Sequence, residues 1–485
     1  MTDFIRVNNP HRTKADLLAI GAYEGEKRRF SAIDKKLGGA ISRASKRASG
    51  LRLGSFFTVD TMGKLPASEI MIVGLGDKKS FSAPSDFFKA ASVAAKNAGS
   101  HVKKIVMDFP ASGADALRAL MEGALCGPYV FSKYKSGSKK EGAVSSVAVY
   151  STLSETSFEK AARASQSVAS AVRLCRDMVN EPPAHLTPSV LADYAQSICL
   201  EEGLSCSVIM PDEMKERGMG GMLAVSAGSS NPPRLIHMTY SPKAARSRSV
   251  SIVGKGITFD SGGLSLKPAE AMKTMKMDMS GAAAVVGAMK AIAVAKPGVT
   301  VHGIVAAAEN MTGPSAYKPD DIVTAMNGKT IEIVNTDAEG RVVLADALSY
   351  AVEIGSKEII DLATLTGACV VALGVHTAGL MSNSEKIARD MKRSSLSAGE
   401  KVWELPLADD MRKDIESDFA DIKNTGNRWG GAITAALFLE HFVSGVPWAH
   451  LDIAGPAYLE RGNDWYPKGA TGFGVRLLVD YILRK

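Results

Sequence analysis

Ser249-Val-Ser-Ile-Val253 runs directly into Gly254-Lys-Gly-Ile-Thr-Phe-Asp-Ser-Gly-Gly263, and the reading of that junction decides the fold. The first five residues have the β-branched, apolar make-up of a short buried strand. The next ten, four of them glycine, read as a loop leaving its end. In open α/β sheets, ligands bind in loops beyond the carboxyl ends of the strands. This loop carries Lys255 and Asp260, and Lys267 and Asp278 follow it. Its Gly-Lys pair lacks the Gly-x-x-x-x-Gly-Lys-Ser/Thr order of a phosphate loop, so nucleotide binding is not expected.

On either side, strand and helix signals alternate. Strands are expected at 235–240, 300–307 and 358–362, and helices at 282–294 and 340–354. Such alternation predicts a mostly parallel mixed sheet flanked by helices. The fold class is therefore α/β, with a small N-terminal α/β domain over 1–165 and a larger C-terminal domain over 170–485. In the first domain, apolar runs at 70–75, 104–107 and 144–150 predict strands. Helical periodicity covers 85–98 and 114–125, and 136–142 is a loop. Gly74 and Gly76 form part of a dinucleotide fingerprint without its third glycine and read as a plain turn. A long helical pattern, 157–179, bridges the domains and stops before Pro182 and Pro183. Thr187 and Pro188 open another helix as N-cap and first-turn proline.

Composition is that of a globular protein, 46% hydrophobic and 22% charged. The chain contains no run of 18 apolar residues, so no membrane span is expected, and its N-terminus lacks a signal-peptide progression. Cys126, Cys175, Cys199, Cys206 and Cys369 are odd in number and lack zinc-ligand spacing. They read as buried thiols in a reducing compartment, which makes the location cytoplasmic. Residues 1–170 hold 26 Lys and Arg against 15 Asp and Glu. That excess leaves nucleic-acid binding through the N-terminal domain as an alternative function, although the charges are dispersed and lack interleaved aromatics.

A second acidic stretch, Asn335-Thr-Asp-Ala-Glu-Gly-Arg341, follows the apolar Ile331, Ile333 and Val334. In an extended segment Asp337 and Glu339 face one side, with Arg341 two residues on. Neighbouring carboxylates repel unless a proton or a metal lies between them. A solvated acidic loop is one account of the stretch. A metal centre explains more, because Asp260, Asp278, Asp337 and Glu339 then share one sheet edge and two divalent cations compensate them. The cations Lys255, Lys267 and Arg341 fit complementary roles. A lysine beside two metals can coordinate as a neutral amine, and one kept charged can stabilise an oxyanion. None of the eight histidines stands in a His-Glu-x-x-His arrangement.

Three of these stretches, Val253-Gly-Lys-Gly-Ile-Thr-Phe-Asp-Ser-Gly-Gly, Met277-Asp-Met-Ser-Gly-Ala-Ala and Asn335-Thr-Asp-Ala-Glu-Gly-Arg, resemble signatures of the leucyl aminopeptidase (cytosol aminopeptidase) family. Asn180-Glu-Pro-Pro, Asn231-Pro-Pro-Arg, Ala308-Glu-Asn-Met, Asp361-Leu-Ala-Thr-Leu-Thr-Gly-Ala, His450-Leu-Asp-Ile-Ala-Gly and Lys468-Gly-Ala-Thr-Gly-Phe-Gly-Val-Arg match as well. The likeness is dense from about Asn180 onward and thin before it. It implies an aminopeptidase that releases N-terminal, preferably leucine-like residues from peptides with a free N-terminus, by two-metal activation of water. By the same resemblance Lys255, Asp260, Asp278 and Glu339 hold a tightly bound manganese or zinc ion. Asp260, Asp337 and Glu339 hold a more exchangeable one. Lys267 matches the family's electrophilic lysine, and Arg341 the arginine that holds bicarbonate as general base. Met275 with the 364–367 loop, in particular Thr364 and Gly367, is the implied pocket for the first side chain. Family members are homohexamers, which is the implied assembly. Val342, Ala184 and 311–314 depart from the family pattern, and none of these touches an expected ligand.

Overall fold

The computed structural model describes residues 2–26, 28–47, 50–81, 84–137, 144–242 and 248–485. From 138 on, the loop expected at 136–142 lies outside them. The chain divides into two compact units. One is Met1–Ser170 with Leu396–Gly399 and Arg461–Lys468; the other is Ala171–Ser395, Glu400–Glu460 and Gly469–Lys485. The two short excursions are not part of a linear division into 1–165 and 170–485.

The first unit is built on a six-stranded sheet: β1 (Asp3–Val7), β2 (Ala15–Ala22), β3 (Phe56–Asp60), β4 (Ala67–Gly74), β5 (Lys104–Asp108) and β6 (Ser146–Tyr150), in the order β1-β6-β5-β2-β4-β3. Only the β3–β4 edge is antiparallel. The central strand β2 is almost wholly buried, which parallel sheets covered on both faces require. Helices Pro84–Lys96 and Ala114–Cys126 come together at Gly123, where an added Cβ would collide with the Phe88 backbone. The strands expected at 70–75, 104–107 and 144–150 are present, and β1, β2 and β3 are additional.

In the second unit an eight-stranded sheet comprises β7 (Ser205–Ile209), β8 (Arg234–Tyr240), β9 (Ser249–Asp260), β10 (Thr300–Asn310), β13 (Glu358–Ala363), β14 (Ala378–Ser382), β15 (Val402–Glu404) and β17 (Trp448–Asp452). A small second sheet holds β11 (Ile322–Thr324), β12 (Thr330–Glu332) and β16 (Ile422–Lys423). The large sheet runs β15-β14-β17-β13-β9-β10-β8-β7. Its centre, β17-β13-β9-β10, is parallel, and antiparallel pairings flank that centre on both sides. The mixed, parallel-rich sheet of the sequence reading is what forms.

Two local expectations need correction. β9 does not end at Val253 but continues through the glycines to Asp260, so Lys255 and Asp260 stand on a strand rather than a loop. The reason is packing. A Cβ at Gly254 would lie 2.6 Å from Gly281 O, at the start of the buried helix Ser280–Ala295. Gly254 thus lets that helix approach the strand and does not turn the chain. Likewise, the segment 333–338 is not extended. β12 stops at Glu332, and Glu339 opens the helix Glu339–Glu353.

Helix Ser280–Ala295 and the turn before it, Met275–Met279, form a stretch long and apolar enough to cross a membrane, and most of it is buried inside this unit. It reads as a core helix. On the sheet face that carries Lys255 and Asp361, Trp448, Phe438 and Phe442 fill a core cluster with residues of helix Glu339–Glu353.

Candidate metal centre

Four elements deliver the polar residues. β9 supplies Lys255 and Asp260; the turn Met275–Met279 supplies Asp278; the first turn of helix Glu339–Glu353 supplies Glu339 and Arg341; and Asp337 precedes that helix. A helix N-terminus favours the carboxylate placed in it. Gly340 is required there, because a Cβ at that position would sit 2.5 Å from Lys255 Cε.

Lys255, only 3% exposed, binds Asp278 Oδ2 at 2.8 Å and Glu339 Oε1 at 2.9 Å and donates to Thr364 O at 3.0 Å. Lys267 binds Asp260 Oδ2 at 2.9 Å and Asp337 Oδ1 at 2.5 Å. Carboxylate oxygens of Asp260, Asp337 and Glu339 all lie within 4.8 Å of one another. Four carboxylates thus face two ammonium groups. Burial, and then the nearby Asp260, push Glu339 up to about 8. Burial likewise raises Asp278 to about 6, against the pull of Lys255. Asp337 is raised by burial and by Asp260. For Lys255 burial favours the neutral amine, but Asp278, Glu339 and Asp260 outweigh it and hold the ammonium well above the usual lysine range. Burial acts the same way on Lys267, and Asp260 and Asp337 overcome it.

Second-layer groups fix the cluster. Asp260 Oδ1 accepts from Gly262 N and Asn310 Nδ2, both at 2.9 Å. Asn310 Nδ2 also donates to Thr336 O, which accepts from Tyr317 OH at 2.8 Å. Thr364 Oγ1 donates to Asp278 Oδ1 at 2.7 Å. Asn424 clamps the turn before the helix: its Oδ1 accepts from Val334 N at 2.8 Å, and its Nδ2 donates to Asn335 O at 2.7 Å. Its carbonyl accepts from Arg341 Nη1 at 2.8 Å. Arg341 is buried, burial lowers it to about 10, and its Nε has no partner. Glu339 Oε2 is also buried without a partner. A partnerless oxygen amid converging, incompletely compensated carboxylates is what a divalent cation satisfies. The donor set therefore fits a metal.

The profile of the cytosol aminopeptidase family, catalytic domain, matches residues 173–479, and that of its N-terminal domain matches residues 19–138. The chain belongs to the cytosol aminopeptidase family. It is 43% identical over 481 residues to a probable cytosol aminopeptidase of Aquifex aeolicus, covering 97% of this chain and 96% of that protein. Its fold is similar to that of a mutant of tomato leucine aminopeptidase, with a TM-score of 0.91 and 36% identity over 100% of this chain and 97% of the other. The bottromycin maturation enzyme BotP, solved in complex with Mn, aligns with a TM-score of 0.87 and 37% identity, over 97% of this chain and 99% of BotP. As a member of this family the chain is an aminopeptidase, a peptide-bond hydrolase.

Lys255, Asp260, Asp278, Asp337, Glu339 and Lys267 come together in one cluster, with Arg341 two residues beyond Glu339. Of the three pocket candidates, Thr364 belongs to the cluster itself. Met275 is half-buried at the start of the turn that carries Asp278, and Gly367 is exposed at the start of helix Gly367–Leu373. Sequence reasoning passed over Asn310, Tyr317 and Asn424. The Ala308-Glu-Asn-Met match contained Asn310, whereas no local pattern marks Asn424.

Proposed function

We propose that this aminopeptidase works with two divalent ions and releases leucine-like residues preferentially. The observation that carries the reading is the buried surplus of carboxylate over ammonium, with Glu339 Oε2 partnerless. Lys255, Asp260, Asp278 and Glu339 would hold one ion, and Asp260, Asp337 and Glu339 a second. Bound there, such a pair supplies Lewis acidity and a water acidic enough to give hydroxide near neutral pH. Manganese in BotP supports the choice of manganese; zinc is the other candidate. To join as a ligand, Lys255 must first give up the proton that Asp278 and Glu339 now hold on it. Lys267 keeps its charge. With Asp260 and Asp337 as ligands of the ions, its ammonium would be available to the oxygen of the scissile carbonyl, where negative charge develops. The buried Arg341, with Nε free of partners, fits a small anion, and bicarbonate bound there would supply a general base.

Met275, Thr364 and Gly367 belong to the same proposal as the wall that receives an apolar first side chain. Catalysis by 170–485, homohexameric assembly and a cytoplasmic location rest on the family likeness. The test is hydrolysis of leucine p-nitroanilide and of free-amine dipeptides by metal-stripped protein resupplied with manganese or zinc. Activity should vanish on stripping and return with metal. A folded, metal-loaded protein that cleaves none of these substrates would overturn the reading.

A further inference from the structure

The antiparallel strands β8 and β10 place His302 opposite Thr239 and Ile304 opposite His237. Three side-chain atoms converge there. His237 Nε2 lies 3.0 Å from His302 Nδ1, and Thr239 Oγ1 lies 3.1 Å from the first and 3.3 Å from the second. Each ring nitrogen offers either one proton or one lone pair, so even with the Thr239 hydroxyl donating to one ring and accepting from the other, hydrogen bonds serve at most two of the three edges. A cation over the triangle uses all three atoms at once. Ligands about 2.1 Å from a zinc-like ion stand roughly 3.0–3.4 Å apart at octahedral to tetrahedral angles. The observed edges match that spacing.

The surroundings complete the pattern. Metal-bound histidines are oriented through their other ring nitrogen, and His237 Nδ1 is 3.0 Å from Tyr350 OH. Arg217, whose guanidinium carbon lies 5.9 Å from the Tyr350 ring centroid, is paired with both Glu213 and Glu353, so this trio carries one excess negative charge. Both rings are half-buried. Burial, and then His302, lower His237 to about 4, while burial lowers His302. At neutral pH both rings are uncharged, and no proton competes for the lone pairs. We propose that His237, His302 and Thr239 form a second metal site, separate from the carboxylate cluster, for a late first-row divalent ion such as zinc, nickel or copper. Imidazole ligands favour these ions over manganese, so the two sites differ in selectivity.

The test uses manganese-loaded full-length protein and one added equivalent of Cu(II), read by pulsed EPR, in which the remote ring nitrogen of a bound imidazole gives a signal that carboxylate and amine ligands do not. The expected spectrum shows two coupled imidazoles. His302→Gln should remove one of them, and Tyr350→Phe should weaken copper binding about 10–100-fold while keeping both. Copper bound without imidazole modulation would overturn the site. So would modulation that persists unchanged in a folded His237→Gln/His302→Gln protein. If the double variant does not fold, His302→Gln alone decides the matter: a folded single variant that keeps both imidazole signals overturns the site.

Discussion

Asp108 and Asp260 occupy the same kind of place in two different sheets, each at the carboxyl end of an interior strand with parallel neighbours. Their surroundings differ in charge balance. Asp108 accepts from Arg29 Nη2 at 2.7 Å and pairs with His11 Nε2 at 2.9 Å. Burial pushes it up, but the hydrogen bond to His11 and the Arg29 guanidinium win and hold it below the usual carboxylate range. Asp260 instead shares its space with Asp278, Asp337 and Glu339 and only two ammonium groups, and the strain emerges on Glu339. A balanced buried carboxylate is structural. An unbalanced group of them destabilises the metal-free protein and is relieved by a cation.

The contrast breaks or holds first on activity. Glu339→Ala should lower kcat/KM for leucine p-nitroanilide by on the order of 10³-fold or more, because metal ions contribute several kcal/mol to transition-state stabilisation. Asp108→Asn should leave kcat/KM unchanged in the folded protein. Equal losses in the two would erase the distinction. Lys267→Ala, which removes an oxyanion donor and leaves the proposed ligands in place, should cost roughly 10²–10³-fold in kcat.

Stability against pH sharpens the comparison further. Glu339 is raised in the folded protein, so the stability linked to its protonation is present below about 4.5 and is lost as pH rises through about 8. Metal-free protein should therefore melt lower across that interval, and Glu339→Gln should flatten the fall. Metal binding should tighten as pH rises over the same range, with proton release measurable by calorimetry. Asp108 has the opposite sign: its contribution holds above the unfolded carboxylate range and is lost as pH falls below it. Asp108→Asn should thus flatten only the acid limb. The smallest effect belongs to Asn424→Ala, which leaves Val334 N and Asn335 O without their partner. It should cost about 1–3 kcal/mol in urea unfolding and displace Glu339 and Arg341 enough to lower kcat modestly. Unchanged stability would mean that the turn is held by the helix alone.

Strands with a clear apolar run between polar flanks, such as β4 and β5, were legible from pattern. β2 was not, since Ala15-Asp-Leu-Leu-Ala-Ile-Gly-Ala22 has a composition shared by buried strands and buried helices. The glycine at 254 misled for a definite reason: turns and close helix–strand packing demand the same missing Cβ. Asp337 and Glu339 were expected on one side of an extended chain, and they meet through the entry into a helix instead.

By itself the sequence determined the α/β class, the family and the identity of the clustered residues, because these depend on residue type, spacing and alternation along the chain. The tertiary structure alone decided that β9 runs on to Asp260, that Asn424 latches a turn some ninety residues away, and that His237 and His302 meet across two strands. Each of these is a contact between segments distant along the chain, made by packing that no local pattern encodes.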